Sequence, residues 1–276
     1  SRSSYVTTRC KVSKYLSAIA IRSYANEIIC ISEDEEDGFS NFANKSIIYN
    51  TVDIDLIREA REKRLTTRES LKINQEQTII GFAAHVNEKK GAWHFLEICQ
   101  QLSYNDNLNF LLVGKLEEHG KTVLGNGMIL PISPREYVEK FIKENNLKDR
   151  FIFTGFREDV LELIATMDIL LVPNKNGVLG RQPIEAQAAG VIVIAQAGHS
   201  GKSKVVVHNE TGYIVNNNDQ YVLKIEQLLS EHKYKTVSKA AQKHAASNFS
   251  PKTNMRKIES IYMRCINNED DNSCSG

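Results

Sequence analysis

The sequence predicts an α/β protein built on a doubly wound parallel sheet. Short apolar runs alternate with amphipathic stretches from about residue 77 to residue 217. Repeated strand, helix, strand, helix order calls for parallel strands with helices on both faces. Several apolar runs also end at a glycine-bearing loop that opens a helix, as at Gly91, Gly155 and Gly177 to Gly180. In such a sheet a ligand sits at the carboxyl ends of the strands, so those loops are where chemistry is expected.

Taken in order, EIICIS (27–32) and KSIIYN (45–50) read as strands separated by the acidic loop EDEEDGFSN, and IDLIREAREKR has helical spacing. QTIIGFAA (77–84), NLNFLLVG (107–114), RFIFTG (150–155), DILLVP (168–173), VIVIAQ (191–196) and TGYIVNN (211–217) are the strand candidates of the regular part. Helices are expected at 91–102, 135–146, 158–167 and 183–190, then at 219–230, 234–247 and 252–266. The polar end NNEDDNSCSG is expected to fray. These elements divide the chain into 1–74, the remnant of a first domain with a linker, 75–248, the sheet domain, and 249–276, a crossover helix and tail.

Composition narrows the function. Thirty-five Lys and Arg against thirty-four Asp and Glu leave no global positive field, which argues against nucleic acid as a partner. Five scattered cysteines without a C-x-x-C pair suit a reducing cytoplasm and suggest neither a disulfide framework nor a zinc site. No apolar run approaches the roughly 20 residues that span a bilayer. The opening SRSSYVTTRCKVSKYLSAIAIRS is basic and starts at Ser1, as a piece of a longer chain would. It reads as a helix with a solvated basic face, or as one that meets a partner or the inner membrane surface.

Three loops carry the candidate chemistry. In HVNEKKGAWHF (85–95), Lys89 and Lys90 stand just before Gly91 and a helix start, where a cation and a helix dipole together receive phosphate oxygens. Solvated surface lysines are the plainer reading. In TGFRED (154–159), Phe156 and Arg157 follow the tight turn at Gly155, able to approach a nucleobase or simply to join strand to helix. In PNKNGVLGRQPIEAQAAG (173–190), Pro183 opens the expected helix and Glu185 falls in its first turn. That carboxylate either complements the dipole or accepts two hydrogen bonds from a ribose diol.

The order NEKKG, TGFREDV, then MDILLVPNKNGVLGRQPIEAQAAGVIVIAQAGHSGKSKVVVHNETGYIV resembles the nucleotide-sugar domain of the group-one retaining glycosyltransferases. IIYNTVD (47–53) is similar to the stretch that joins their two Rossmann-like domains, the architecture called GT-B. The resemblance implies a hexosyltransferase-type enzyme of glycan or polysaccharide biosynthesis, with a nucleoside-diphosphate sugar as donor and a glycan or lipid-linked acceptor. It implies that Lys90 neutralises the diphosphate and that Glu185, the second glutamate of an E-x7-E motif, binds ribose hydroxyls. His85, Phe156, Arg157 and the turn Gly177, Val178, Leu179, Gly180, Arg181 are the implied donor contacts. No metal or other cofactor is required if cations carry the charge, and membrane contact, if any, is peripheral.

Three positions depart from the family pattern. Gly177 stands where the first glutamate of the motif belongs, His85 where an arginine is common, and Lys204 where a glutamate is frequent. An acidic or modified donor sugar is one reading of these changes; a catalytically impaired nucleotide-binding or partner-binding module is another. An epimerase on the same fold is a third, and no acid and base residues for it stand out.

Overall fold

The computed structural model describes residues 21, 24–39, 41–174, 179–198, 204–230 and 234–273, with side chains as far as 267. Strands β1 (Ile28–Cys30) and β2 (Lys45–Ile47) pair in parallel. Between them the expected acidic loop forms a helix, α1 (Glu33–Gly38). The physical reason lies at its start: Ser32 Oγ accepts from Glu35 N, and four acidic residues in the first turn complement the dipole. Helix α2 (Ile54–Glu62), capped by Asp53, and α3 (Arg64–Ser70) follow.

The regular part runs β3 (Thr78–Ala83), α4 (Ala92–Gln101), β4 (Leu108–Val113), a hairpin of β5 (Thr122–Val123) and β6 (Ile129–Leu130), then α5 (Pro134–Glu144). It continues β7 (Phe151–Gly155), α6 (Val160–Thr166), β8 (Ile169–Val172), α7 (Arg181–Ala188), β9 (Ile192–Gln196) and β10 (Gly212–Val215). Helices α8 (Asn218–Ser230), α9 (Tyr234–Asn248) and α10 (Pro251–Ser273) close the chain. The last continues past residue 266 into the segment expected to fray. Among the described residues no helix is long and apolar enough to cross a membrane.

Six parallel strands form the main sheet in the order β10-β9-β8-β3-β4-β7. The first strand of this sheet, β3, therefore has the second, β4, on one side and the fourth, β8, on the other. That reversal of direction is the switch point of a Rossmann-like sheet. Pairing of β3 with β8 covers only Ile80↔Ile169 and Gly81↔Leu170, whereas β8 stays paired with β9 as far as Val172↔Ala195. The sheet thus parts between β3 and β8 towards their carboxyl ends. Continuous apolar strands feed two cores: Phe82, Phe95, Phe110 and Phe151 on one face, and Ile79, Leu111, Ile164 and Ile184 on the other.

At the amino ends of the same two strands lies a largely buried ion cluster. Asp168 takes Arg64 Nη2 and Arg68 Nη2, each at 2.6 Å, and also accepts the backbone N–H of Ile79. Arg68 donates further to the carbonyls of Thr166, Gln75 and Gln77, and Arg64 to those of Ala165 and Met167. The cluster anchors α3 beneath the sheet through hydrogen bonds made within the fold.

Candidate functional site

The cleft at the switch point is lined by Ala84, His85 and Lys90 from the β3 loop, and by Val172, Asn174, Gly180, Gln182 and Pro183 around the β8 loop. After β3 the chain turns at Asn87, whose Oδ1 accepts from Lys90 N at 3.0 Å and closes a single 3-10 turn, Glu88–Lys90. Gly91 then takes φ +78°, and a side chain there would collide with Pro173 O. Only glycine combines that backbone with so close an approach, so the lysine turn lies directly against the loop after β8. Gly114, at φ +149°, likewise brings the β4 loop against Ala84 O.

Helix α7 begins at this cleft, from Gly180, and α4 begins beside it, from Gly91, with the first N–H of α4, that of Ala92, donated to Asn87 O. Neither has a side-chain cap, and neither has an acidic residue in its first turn. Elsewhere α2 and α5 are capped by Asp53 and Ser133, the latter in a capping box with Glu136 and with Pro134 in the first turn. An uncapped helix N-terminus presents free N–H groups and a partial positive charge, which is what an anion needs. Lys90 is exposed at the mouth and, among the described residues, forms no ion pair. His85 stands 3.6 Å from Glu117, which also binds Lys115 at 3.0 Å. The Lys115 hydrogen bond, foremost, and the His85 charge hold the Glu117 carboxyl below its usual range.

His85, Lys90 and Gly180, expected from sequence, thus meet in one cleft. Arg181 and Glu185 sit on α7 as an i, i+4 pair, with Arg181 Nε 3.4 Å from the carboxylate. Glu185 is buried and is not among the cleft-lining residues. Burial raises its pKa, and Arg181 counters that in part. The expected place of Glu185 in the first turn is corrected: α7 starts at Arg181, two residues before Pro183, so Glu185 belongs to the second turn. Proline is tolerated at the third helical position because the first four N–H groups of a helix have no partner within it. Complementing the helix dipole is therefore not an explanation for this buried carboxylate.

Leu179 packs its side chain into the core, leaving its backbone as what it can offer a ligand. Phe156 is exposed and Arg157 is clamped on Asp159 by two hydrogen bonds of 2.8 and 2.6 Å; neither lines the cleft. Gly177 and Val178 lie outside the described residues. Asn174 and Gln182 line the cleft and escaped the sequence reading, although Asn174 stands two residues after β8 and Gln182 falls in the first turn of the helix after it.

The model for the family glycosyl transferases group 1 matches residues 63–244. Among curated proteins, the D-inositol 3-phosphate glycosyltransferase of Corynebacterium diphtheriae is 31% identical over 115 residues, 41% of this chain and 27% of its own length. The UDP-Gal:alpha-D-GlcNAc-diphosphoundecaprenol alpha-1,3-galactosyltransferase of Escherichia coli is 19% identical over 264 residues, 94% of this chain and 65% of its own. The chain thus spans less than two thirds of either relative. Among solved structures, a glycosyltransferase from Rickettsia africae has TM-score 0.76 at 21% identity, covering 90% of this chain and 66% of the other. The Anabaena protein HepE, in complex with UDP and glucose, has TM-score 0.72 at 19% identity, covering 92% and 68%.

Proposed function

Because the chain belongs to the group 1 glycosyl transferases, we propose that its switch-point cleft grips the diphosphate of a nucleotide-activated sugar and that the parent protein transfers this sugar with retention. One observation carries the reading. Lys90 and the uncapped N-terminus of α7 meet where β3 and β8 part. A diphosphate satisfies both.

In the proposed reaction the bond from the anomeric carbon to the diphosphate oxygen breaks, and the acceptor hydroxyl oxygen bonds to that carbon from the same face. The hydroxyl proton passes to the departing phosphate. Negative charge grows on the diphosphate in the transition state, so Lys90, seconded by His85 and the first N–H groups of α7, is aimed at the atoms where stabilisation accelerates the step. Protein cations carry this charge without a metal. Glu185, buried one turn into α7 behind the cleft lining, is assigned the ribose hydroxyls on the strength of the family motif alone, with Arg181 beside it as counter-charge. Phe156 and Arg157, which lie outside the cleft lining, are assigned no donor contact.

The HepE structures, which hold UDP or UDP-glucose, support a uridine nucleotide as the donor's leaving group. A lipid-linked glycan as acceptor draws support from the Escherichia coli relative, whose name specifies a diphosphoundecaprenol acceptor. Calorimetric titration with UDP, GDP and ADP tests the site. Lys90→Ala is expected to weaken the preferred nucleotide by about 1.5–3 kcal/mol, the range of a charged hydrogen bond. Glu185→Ala should weaken diphosphate nucleosides while leaving inorganic pyrophosphate unchanged. Wild-type affinity in both variants rejects the assignment.

A further inference from the structure

Residues 204–207, on the way from β9 to β10, belong to no helix or strand, yet side chains take up their backbone groups. Lys204 N donates to Glu33 Oε1 at 3.2 Å. Lys204 O accepts from His244 Nε2 at 2.9 Å, and because Asn248 Nδ2 donates to His244 Nδ1, the imidazole carries its proton on Nε2. Val205 O accepts from Gln187 Nε2 at 2.7 Å, and Val207 N donates to Thr211 Oγ1 at 2.9 Å. Val205 and Val206 are themselves buried in the core. Backbone groups in such a place need partners, and here those of Lys204 and Val205 find them on α1, α7 and α9.

Of the three, Glu33 comes from farthest away, 171 residues before Lys204. It opens α1, but its side chain is turned inwards and is only 7% exposed. The Tyr49 hydroxyl donates to the same carboxylate oxygen. Tyr49 is fixed in turn: its ring stands edge-on to Phe249 at 5.6 Å, and its carbonyl accepts from Asn254 Nδ2 at 2.6 Å. The carboxylate is therefore held in place before it meets Lys204.

The other side of the joint leads to the cleft. Gln187, fully buried near the end of α7, grips Val205 O, and α7 begins at Gly180 in the cleft lining. Seven residues of helix put the grip about 10 Å from that end. A helix this short moves as one piece, and small displacements far from the reacting atoms are felt there.

We propose that Glu33, which does not line the cleft, is a positioning residue for it. By fixing Lys204 N it seats the 204–205 backbone against Gln187 and so sets the pose of α7, whose first N–H groups face the diphosphate. The proposal rests on the reading of the cleft given above.

The test is calorimetric titration of the full chain with UDP, well below the unfolding temperature, on wild type, Glu33→Ala, Glu33→Gln and Lys90→Ala, with hydrogen exchange followed over residues 204–207. Glu33→Ala is expected to bind UDP at least about fivefold more weakly and to lose protection at Lys204 N. Glu33→Gln keeps an oxygen for both donors and should restore both signals. A Glu33 that serves stability alone would lower the unfolding midpoint of Glu33→Ala and leave UDP affinity at the wild-type value, which overturns the proposal. Should Glu33→Ala fail to fold, Tyr49→Phe removes the hydroxyl that holds Glu33 and keeps the ring against Phe249; weaker UDP binding is again expected, and wild-type affinity overturns the proposal. Lys90→Ala separates the two readings. If it weakens UDP while Glu33→Ala does not, the positioning role alone is rejected. If Lys90→Ala binds as wild type, the nucleotide lies outside the cleft and both readings are rejected.

Discussion

The two ends of β3 and β8 handle charge in opposite ways. At the amino end, Asp168 is held by Arg64, Arg68 and the Ile79 N–H, and those arginines donate further to backbone carbonyls. At the carboxyl end, Lys90 is exposed, and the two helices that begin beside it lack both caps and first-turn acids. The same strands hold the fold together below and hold positive potential in reserve above. A charge already partnered inside the protein is a structural element; one left without a partner at a convergence of strand ends is available to a ligand.

The sharpest way to break this contrast is to remove one charge from each end. Asp168→Ala leaves two guanidinium groups buried without their carboxylate and should lower unfolding stability by about 3–5 kcal/mol in denaturant titration. Lys90→Ala should stay within about 0.5 kcal/mol of wild type, as a surface change does. Similar losses in the two would erase the distinction.

Gly91→Ala tests the join between the loops. It places a side chain on a backbone at φ +78° and against Pro173 O, so a loss of about 1–3 kcal/mol is expected. Nucleotide affinity should fall with it, because the lysine turn must lift from the β8 loop. Weaker stability with intact affinity would separate the turn from the site.

A smaller effect, of opposite sign, is expected at Glu185. Burial raises its pKa above the unfolded value near 4.5, so the folded state takes up its proton more readily than the unfolded one. Ionisation therefore penalises the fold as pH rises through the raised pKa, and the penalty is absent below the unfolded value. Glu185→Gln should unfold with wild-type stability in acid and be the more stable of the two at neutral pH and above. Thermal melts across that range read the difference. A carboxylate retained at a cost to stability fits a binding role; a destabilised glutamine variant would assign Glu185 to structure instead.

How much of this was legible in the sequence follows from the size of each signal. The six strands of the main sheet are apolar runs long enough to announce themselves, and their alternation with helices implies the parallel sheet. Lys90, His85 and Gly180 were legible through the family resemblance; without it, the lysine pair reads as plain solvated surface. Helix α1 was misread as loop because acidic composition outweighed the Ser32 cap. The start of α7 was set two residues late because Pro183 was taken for the first turn's opening residue. The hairpin offered no signal at all: its strands are two residues each, too short for any periodicity to register.

A crystal of the full chain grown with UDP tests the central claim most directly. The diphosphate is expected between the lysine turn and the start of α7, with one oxygen within hydrogen-bonding reach of Lys90 Nζ and another facing the backbone N–H groups after Gly180. A diphosphate bound elsewhere, or in this cleft with Lys90 turned away to solvent, would contradict it.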